Sequence, residues 1–244
     1  MWLLEKKIAH RGLHTGNGTT EGEISENSMT SFRNAAENGY IIETDVHLLK
    51  TGEVVVFHDG TLKRMCGKDV KIGSLTLDDV MGDKYLLPNG ERLPLLQELV
   101  DLCEETNTPI LLELKINGMN YDLEKACLKI IKGKESFIAI QAFNPYTIKW
   151  FKKHAPEFTR GILAASVLVG IAKCMSRKTK PHFFAVGVAD LKPSLRKYCT
   201  KKGRNLIVWT VRNAAAVEKA IKTNVDNIIF EKTDVSAFTP TDAR

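Results

Sequence analysis

The chain has 244 residues, 43% hydrophobic and 26% charged, with a formal net charge of +6. This is the balance of a soluble globular protein with room for one large α/β domain, and no apolar run approaches the ~20 residues of a membrane span. The excess lysines, among them Lys149, Lys152, Lys153, Lys178, Lys180, Lys201 and Lys202, are scattered without interleaved aromatics. That argues against a nucleic-acid partner and for a mild field that draws small anions. Cys66, Cys103, Cys127, Cys174 and Cys199 are odd in number, widely spaced and free of CxxC, which argues against a disulfide framework or a cysteine zinc site. Met1 to Lys7 lacks the basic-then-apolar order of a signal peptide, so a cytoplasmic protein without stable membrane insertion is expected.

In chain order, short apolar runs alternate with amphipathic helical stretches. Strands are predicted at 6–10, 41–46, 110–115, 137–143, 159–163, 183–188, 206–211 and 227–231. Helices are predicted at 28–38, 94–105, 121–132, 145–154, 166–176, 193–202 and 213–223, followed by a short piece after Asp234. Pro94, Pro145 and Pro193 mark helix starts, and Gly39 and Gly203 lie just past helix ends. Near-continuous apolar strands alternating with helices indicate a parallel sheet covered on both faces, and their number favours closure into a (β/α)8 TIM-type barrel. An open doubly wound sheet is the rival, but no G-x-G-x-x-G follows the first strand.

Between Ile41–Leu49 and Val54–Asp59 the run Lys50-Thr51-Gly52-Glu53 reads as a hairpin turn. With Thr51-Gly52 as a two-residue loop, Asp45 falls opposite His58 and Glu43 opposite Gly60; a longer bulged turn would slip this by one residue. Residues 60–93, rich in turn formers, are expected to form an insertion after the hairpin, as a loop or cap.

Barrel active sites lie where strands end, and His10, Arg11, Glu43, Asp45, Glu113, Lys115 and Trp209 all fall at or near such ends. His10 and His58 are candidates for acid/base work, although a lone histidine there is as readily structural. Glu43, Asp45 and Glu113 would make an all-oxygen site for a hard cation, Mg²⁺ or Ca²⁺. Arg11 offers a fork suited to phosphate, or a rim salt bridge. Lys115 can pair with Glu113 or bind phosphate. Glu26-Asn27 precede a helix, so Asn27 is either a site residue or an N-cap. Trp209, like Phe143 after Gln141, is a wall for substrate or a core aromatic. His14 and His47 are weaker candidates, and His154 and His182 read as surface residues.

The series His10-Arg11-Gly12, Glu26-Asn27-Ser28, Glu43-Thr44-Asp45-Val46, Phe57-His58-Asp59, Leu112-Glu113-Leu114-Lys115 and Val208-Trp209-Thr210-Val211 resembles the glycerophosphodiester phosphodiesterases, in order and spacing along nearly the whole chain. The resemblance implies a distorted (β/α)8 barrel and a divalent cation on Glu43, Asp45 and Glu113. It further implies His10 and His58 as general acid and base, cleaving glycerophosphodiesters to sn-glycerol 3-phosphate and an alcohol. Arg11, Lys115, Glu26, Asn27 and Trp209 would surround this small-molecule substrate, and Leu75 to Leu96 looks like the family's insertion. Three departures stand out: Ser25 replaces a proline, the tract Thr15 to Ile24 is long and Gly-rich, and Phe230-Glu231 replaces a Thr-Asp pair at a position read as structural. Two rivals remain. One is a lysophospholipase D or phospholipase C-like enzyme, which would need apolar access such as Met65, Met81, Tyr85, Leu86 and Leu87. The other is a non-catalytic barrel that binds phosphorylated small molecules.

Overall fold

The computed structural model describes residues 1–16, 23–116 and 120–243, so most of the Thr15 to Ile24 tract lies outside the described residues. The chain opens with β1 (Ile8–Ala9), α1 (Met29–Glu37), β2 (Ile41–Leu48) and β3 (Val54–Val56). Then come α2 (Lys63–Cys66), α3 (Leu77–Met81), α4 (Leu96–Thr106), β4 (Ile110–Leu114), α5 (Asp122–Ile131) and β5 (Ile138–Ala142). The second half runs α6 (Pro145–His154), β6 (Thr159–Ala164), α7 (Leu168–Thr179), β7 (Phe183–Gly187), α8 (Pro193–Lys201), β8 (Asn205–Val211), α9 (Ala214–Thr223) and β9 (Asn227–Phe230). Strand β1 pairs in parallel with both β2 and β9, which closes eight parallel strands into a barrel and disposes of the open-sheet rival. The ninth strand, β3, hangs antiparallel on β2 outside the ring.

Strand alternation sorts the side chains. Ile8, Ile41, Leu111, Ala139, Leu163, Phe183, Ile207 and Ile229 point inward and, with Leu3, fill the lower barrel as one buried cluster. Outward residues such as Ile42, Leu112, Ile140 and Phe184 pack under the helices. The interior is tight at Gly161: a Cβ there would stand 2.0 Å from Cε2 of the Phe183 ring, which is fully buried. We expect Gly161→Ala to lower stability by about 1–3 kcal/mol through overpacking, with part of the loss recovered in Gly161→Ala/Phe183→Leu. Urea unfolding midpoints check this, and an unchanged midpoint for the single variant contradicts it.

Two local expectations are corrected. The hairpin pairs Val46 with Val56, His47 with Val55 and Leu48 with Val54, one residue out of the expected register. Its loop is Lys50-Thr51-Gly52, closed by Leu49 N–H to Glu53 C=O at 2.9 Å, with Gly52 at φ +102° where a side chain would be strained. Asp45 therefore lies opposite Phe57, whose N–H donates to its carbonyl, not opposite His58. The insertion, in turn, is more than loop: α2, α3 and one short 3₁₀ turn (Ile72–Ser74) bury Leu62, Met65, Ile72, Leu75, Val80, Leu87 and Leu93 against Val55 and Phe57 of the hairpin.

Candidate functional site

One inward position beyond the apolar plug, the same strands carry polar side chains. Ile8 is followed at the next inward position by His10, Ile41 by Glu43 and then Asp45, Leu111 by Glu113, Ala139 by Gln141, Ile207 by Trp209, and Ile229 by Glu231. These are the C-terminal ends of the strands, the face on which barrel sites are built.

Glu43, Asp45 and Glu113 are buried, and one oxygen of each lies within 4.8 Å of the others. Lys115 Nζ bridges Asp45 Oδ1 at 2.9 Å and Glu113 Oε1 at 2.5 Å. Arg11 donates through Nη1 to Glu26 Oε1 at 2.7 Å and sets Nε 3.4 Å from Asp45 Oδ2. Its backbone, at φ +55°, aims its own N–H at Glu43 Oε2, 3.1 Å away. Asn27 is not the N-cap of α1; Ser28 is, in a reciprocal capping box with Ser31. Asn27 instead donates Nδ2 to Asp45 Oδ2 at 3.1 Å and accepts from Thr44 Oγ1 at 2.9 Å.

Three buried carboxylates thus face two cations. Each buried ion costs several kcal/mol of solvation, while a close opposite charge returns about 4 kcal/mol at an effective dielectric of 20, so pairing decides which acids stay ionised. Burial pushes Asp45 upward, but Lys115 and Arg11 outweigh it and hold the group well below the usual carboxylate range. Among the described residues the Glu43 carboxylate has only the Arg11 N–H and the Gln141 amide, at 3.1 Å each; burial and its acidic neighbours push it well up. Glu113 is raised to about 7 by burial and then by Asp45. A cluster short of positive charge, with only oxygen donors, fits a hard divalent cation.

Two imidazoles face this cluster across a cavity of about 320 Å³ that both line. His10 donates Nδ1–H to Glu231 Oε2 at 2.8 Å, and Glu231 is also held by Arg212 at 2.8 Å. His58 donates Nδ1–H to Asp59 Oδ1 at 2.6 Å, and Asp59 is held by Arg64. In each ring the lone pair is therefore on Nε2. His58 reaches the cavity despite the shifted register because β3 ends two residues earlier, and His47 Nε2–H fixes the His58 carbonyl at 3.2 Å. Arg64 also grips Glu26 through Nη1 and Nη2 at 2.9 and 2.7 Å, so the insertion buttresses Arg11.

Burial, only partly offset by Glu231, lowers His10 to about 4 from an ordinary value of 6.5; burial lowers His58 as well. Between those two values the unfolded chain takes up a proton at His10 that the folded protein does not. The stability due to a neutral His10 is therefore complete above pH 6.5 and falls on acidification towards pH 4. The stability advantage of the native protein over His10→Asn is expected to shrink across that window, by up to about 3 kcal/mol. Denaturant unfolding of both at several pH values tests this, and an advantage that grows on acidification contradicts it.

Trp209 and Phe143 meet edge to face, with ring centroids 5.7 Å apart, and form one wall of the cavity. Trp209 Nε1 is buried and has no hydrogen-bond partner among the described residues. Of the insertion's apolar residues, Met65, Tyr85 and Leu87 are in its own core and Met81 is exposed. His14 is buried behind His10, while His154 and His182 are not in the site. Sequence reasoning missed Glu231, Gln141, Arg64 and Arg212. The first two were signalled by inward parity after Ile229 and Ala139; the two arginines had no periodic signal. A larger depression of about 590 Å³ beside α7 and α8 is lined by Lys173, Arg177, Lys202 and Arg204 among others, with neither a carboxylate nor an imidazole.

A family model described as the glycerophosphoryl diester phosphodiesterase family matches residues 10–235. A glycerophosphodiester phosphodiesterase of Caldanaerobacter subterraneus subsp. tengcongensis is 31% identical over 240 residues, covering 92% of this chain and 93% of that protein. A lysophospholipase D of Rattus norvegicus is 33% identical over 228 residues, covering 85% of this chain and 69% of that protein. The structure of an Oleispira antarctica phosphodiesterase in complex with its product sn-glycerol-3-phosphate matches with a TM-score of 0.81 at 20% identity, covering 94% of each chain.

Proposed function

Because the chain belongs to the glycerophosphoryl diester phosphodiesterase family, we propose that it hydrolyses glycerophosphodiesters to sn-glycerol 3-phosphate and an alcohol, with His10 and His58 as the acid/base pair. The observation that carries this reading is the placement of two carboxylate-backed imidazoles around one cavity, beside three buried carboxylates. A carboxylate on Nδ1–H fixes the tautomer that leaves Nε2 basic. One histidine accepts the proton of the attacking water as the new P–O bond forms; where the glycerol hydroxyl attacks instead, a water activated in the same way then opens the cyclic phosphodiester to sn-glycerol 3-phosphate. The other, as imidazolium, gives its proton to the leaving alkoxide as the P–O bond to the alcohol breaks. Arg11 and Lys115 oppose the negative charge that develops on the phosphoryl oxygens, and Glu26, clamped by Arg64, sets the angle of the Arg11 fork. Asn27 holds Asp45, and Trp209 with Phe143 walls the alcohol side. Glu43, Asp45 and Glu113 would hold Mg²⁺ or Ca²⁺, which supplies Lewis-acid charge at the phosphoryl group.

A single barrel domain spanning the chain, with 60–93 inserted, and a cytoplasmic location are parts of the same proposal. Cys103, Cys127 and Cys199 are free and buried, which suits a reducing compartment. No helix among the described residues is long and apolar enough to cross a membrane.

Lysophospholipid cleavage is a second reading with an observation of its own. Phe143, Tyr146, Val167, Leu168 and Ile171 are exposed, and all follow the C-terminal ends of β5 and β6, where an acyl chain would find an apolar rim. Turnover of glycerophosphocholine, glycerophosphoethanolamine and lysophosphatidylcholine separates the two. The main reading expects the water-soluble diesters to be cleaved at the higher kcat/KM; cleavage of the lysolipid alone replaces it with the second.

A further inference from the structure

We propose a second metal site, for a borderline divalent ion of the Zn²⁺ class, formed by His10, His14 and Glu231 behind the reaction cavity. One donor atom of each residue lies within 4.8 Å of the others. The observation that points to a cation is His14. Its side chain is 2% exposed, and its Nδ1–H donates to the Gly16 carbonyl at 3.1 Å, so in the neutral ring Nε2 carries a lone pair. That atom is buried with no hydrogen-bond partner among the described residues, and it faces Glu231 Oε1 at 3.9 Å. A lone pair set against a carboxylate repels it unless positive charge stands between them. On the other side of the same carboxylate, His10 Nδ1 lies 2.8 Å from Oε2.

Two imidazole nitrogens and one carboxylate oxygen, with a position left open, are the donor set of zinc and its neighbours, not of Mg²⁺ or Ca²⁺. The two clusters would therefore sort metals by hardness, oxygen donors at Glu43, Asp45 and Glu113, mixed donors here. Arg212, 2.8 Å from Glu231 Oε2, lowers the affinity and makes the site one that fills and empties. The consequence for turnover rests on the proposed role of His10. A metal on Nδ1 moves the ring proton to Nε2, which leaves no lone pair towards the cavity, and the ion inhibits.

Titration of the full chain with Co²⁺ under saturating Mg²⁺ reads the site without reference to activity. The expected result is the intense visible absorption of nitrogen-ligated, low-coordinate Co²⁺, weakened about 100-fold in affinity by His14→Asn and retained in Glu43→Gln. Zn²⁺ should inhibit the native enzyme but not His14→Asn, whose basal turnover is unchanged; His14→Gln serves if the asparagine variant does not fold. Only the faint spectrum of oxygen-ligated Co²⁺, or equal titrations of the native chain and both His14 variants, overturns the site. A Co²⁺ site that His14→Asn removes, with no inhibition by Zn²⁺, upholds the site and contradicts the role given to His10.

Discussion

Replacing His58 by alanine is expected to lower kcat for glycerophosphodiester hydrolysis by about 100- to 10,000-fold, the range of a lost general acid or base, while the barrel stays folded. The side chain is 32% exposed, follows the end of β3 and belongs to no core cluster. Its removal leaves Asp59 still paired with Arg64 at 2.7 Å, so no buried charge is stranded. His10→Ala should cost as much activity, but it also deprives Glu231 of a partner in a buried setting, and about 1–3 kcal/mol of stability goes with it. His58 is thus the cleaner test. Steady-state kinetics alongside circular dichroism decide the matter: a folded His58→Ala protein with near-normal turnover removes His58 from the acid/base pair.

Glu43→Gln is expected to raise the concentration of Mg²⁺ or Ca²⁺ needed for half-maximal activity by about 100-fold, and EDTA should silence the native enzyme until either ion is returned. Of the three acids Glu43 is the one without a Lys or Arg side chain bonded to it among the described residues, so a cation gains most from its charge. Glutamine keeps the volume and one acceptor oxygen, which limits the damage to charge. Activity measured against metal concentration is the check, and an identical metal dependence in the variant takes Glu43 out of the cation site.

The alternation of strands and helices made the barrel legible in the sequence, because each βα unit repeats the same burial pattern and each inward position is one strand period from the last. That is why His10, Glu43, Asp45 and Glu113 were readable as neighbours from distant parts of the chain. The hairpin register was not readable, since Thr51-Gly52 suits a two-residue and a three-residue loop alike and only packing of Val55 and Phe57 on the insertion selects between them. Nor was the pairing of Arg64 with Glu26, whose 38-residue separation depends on how the insertion folds back over the rim. Glu231 was legible in principle. It stands one inward step beyond Ile229, and reading it as a structural substitute for another side chain hid its contact with His10.

The most direct test of the account is to incubate the folded protein with glycerophosphocholine in Mg²⁺, in Ca²⁺ and in EDTA, and to quantify choline and glycerol together with every phosphorus-containing product. The expected result is sn-glycerol 3-phosphate with an equal amount of choline in the presence of either cation, and no release in EDTA. Phosphocholine with glycerol, or an intact diester under every metal condition, would contradict it.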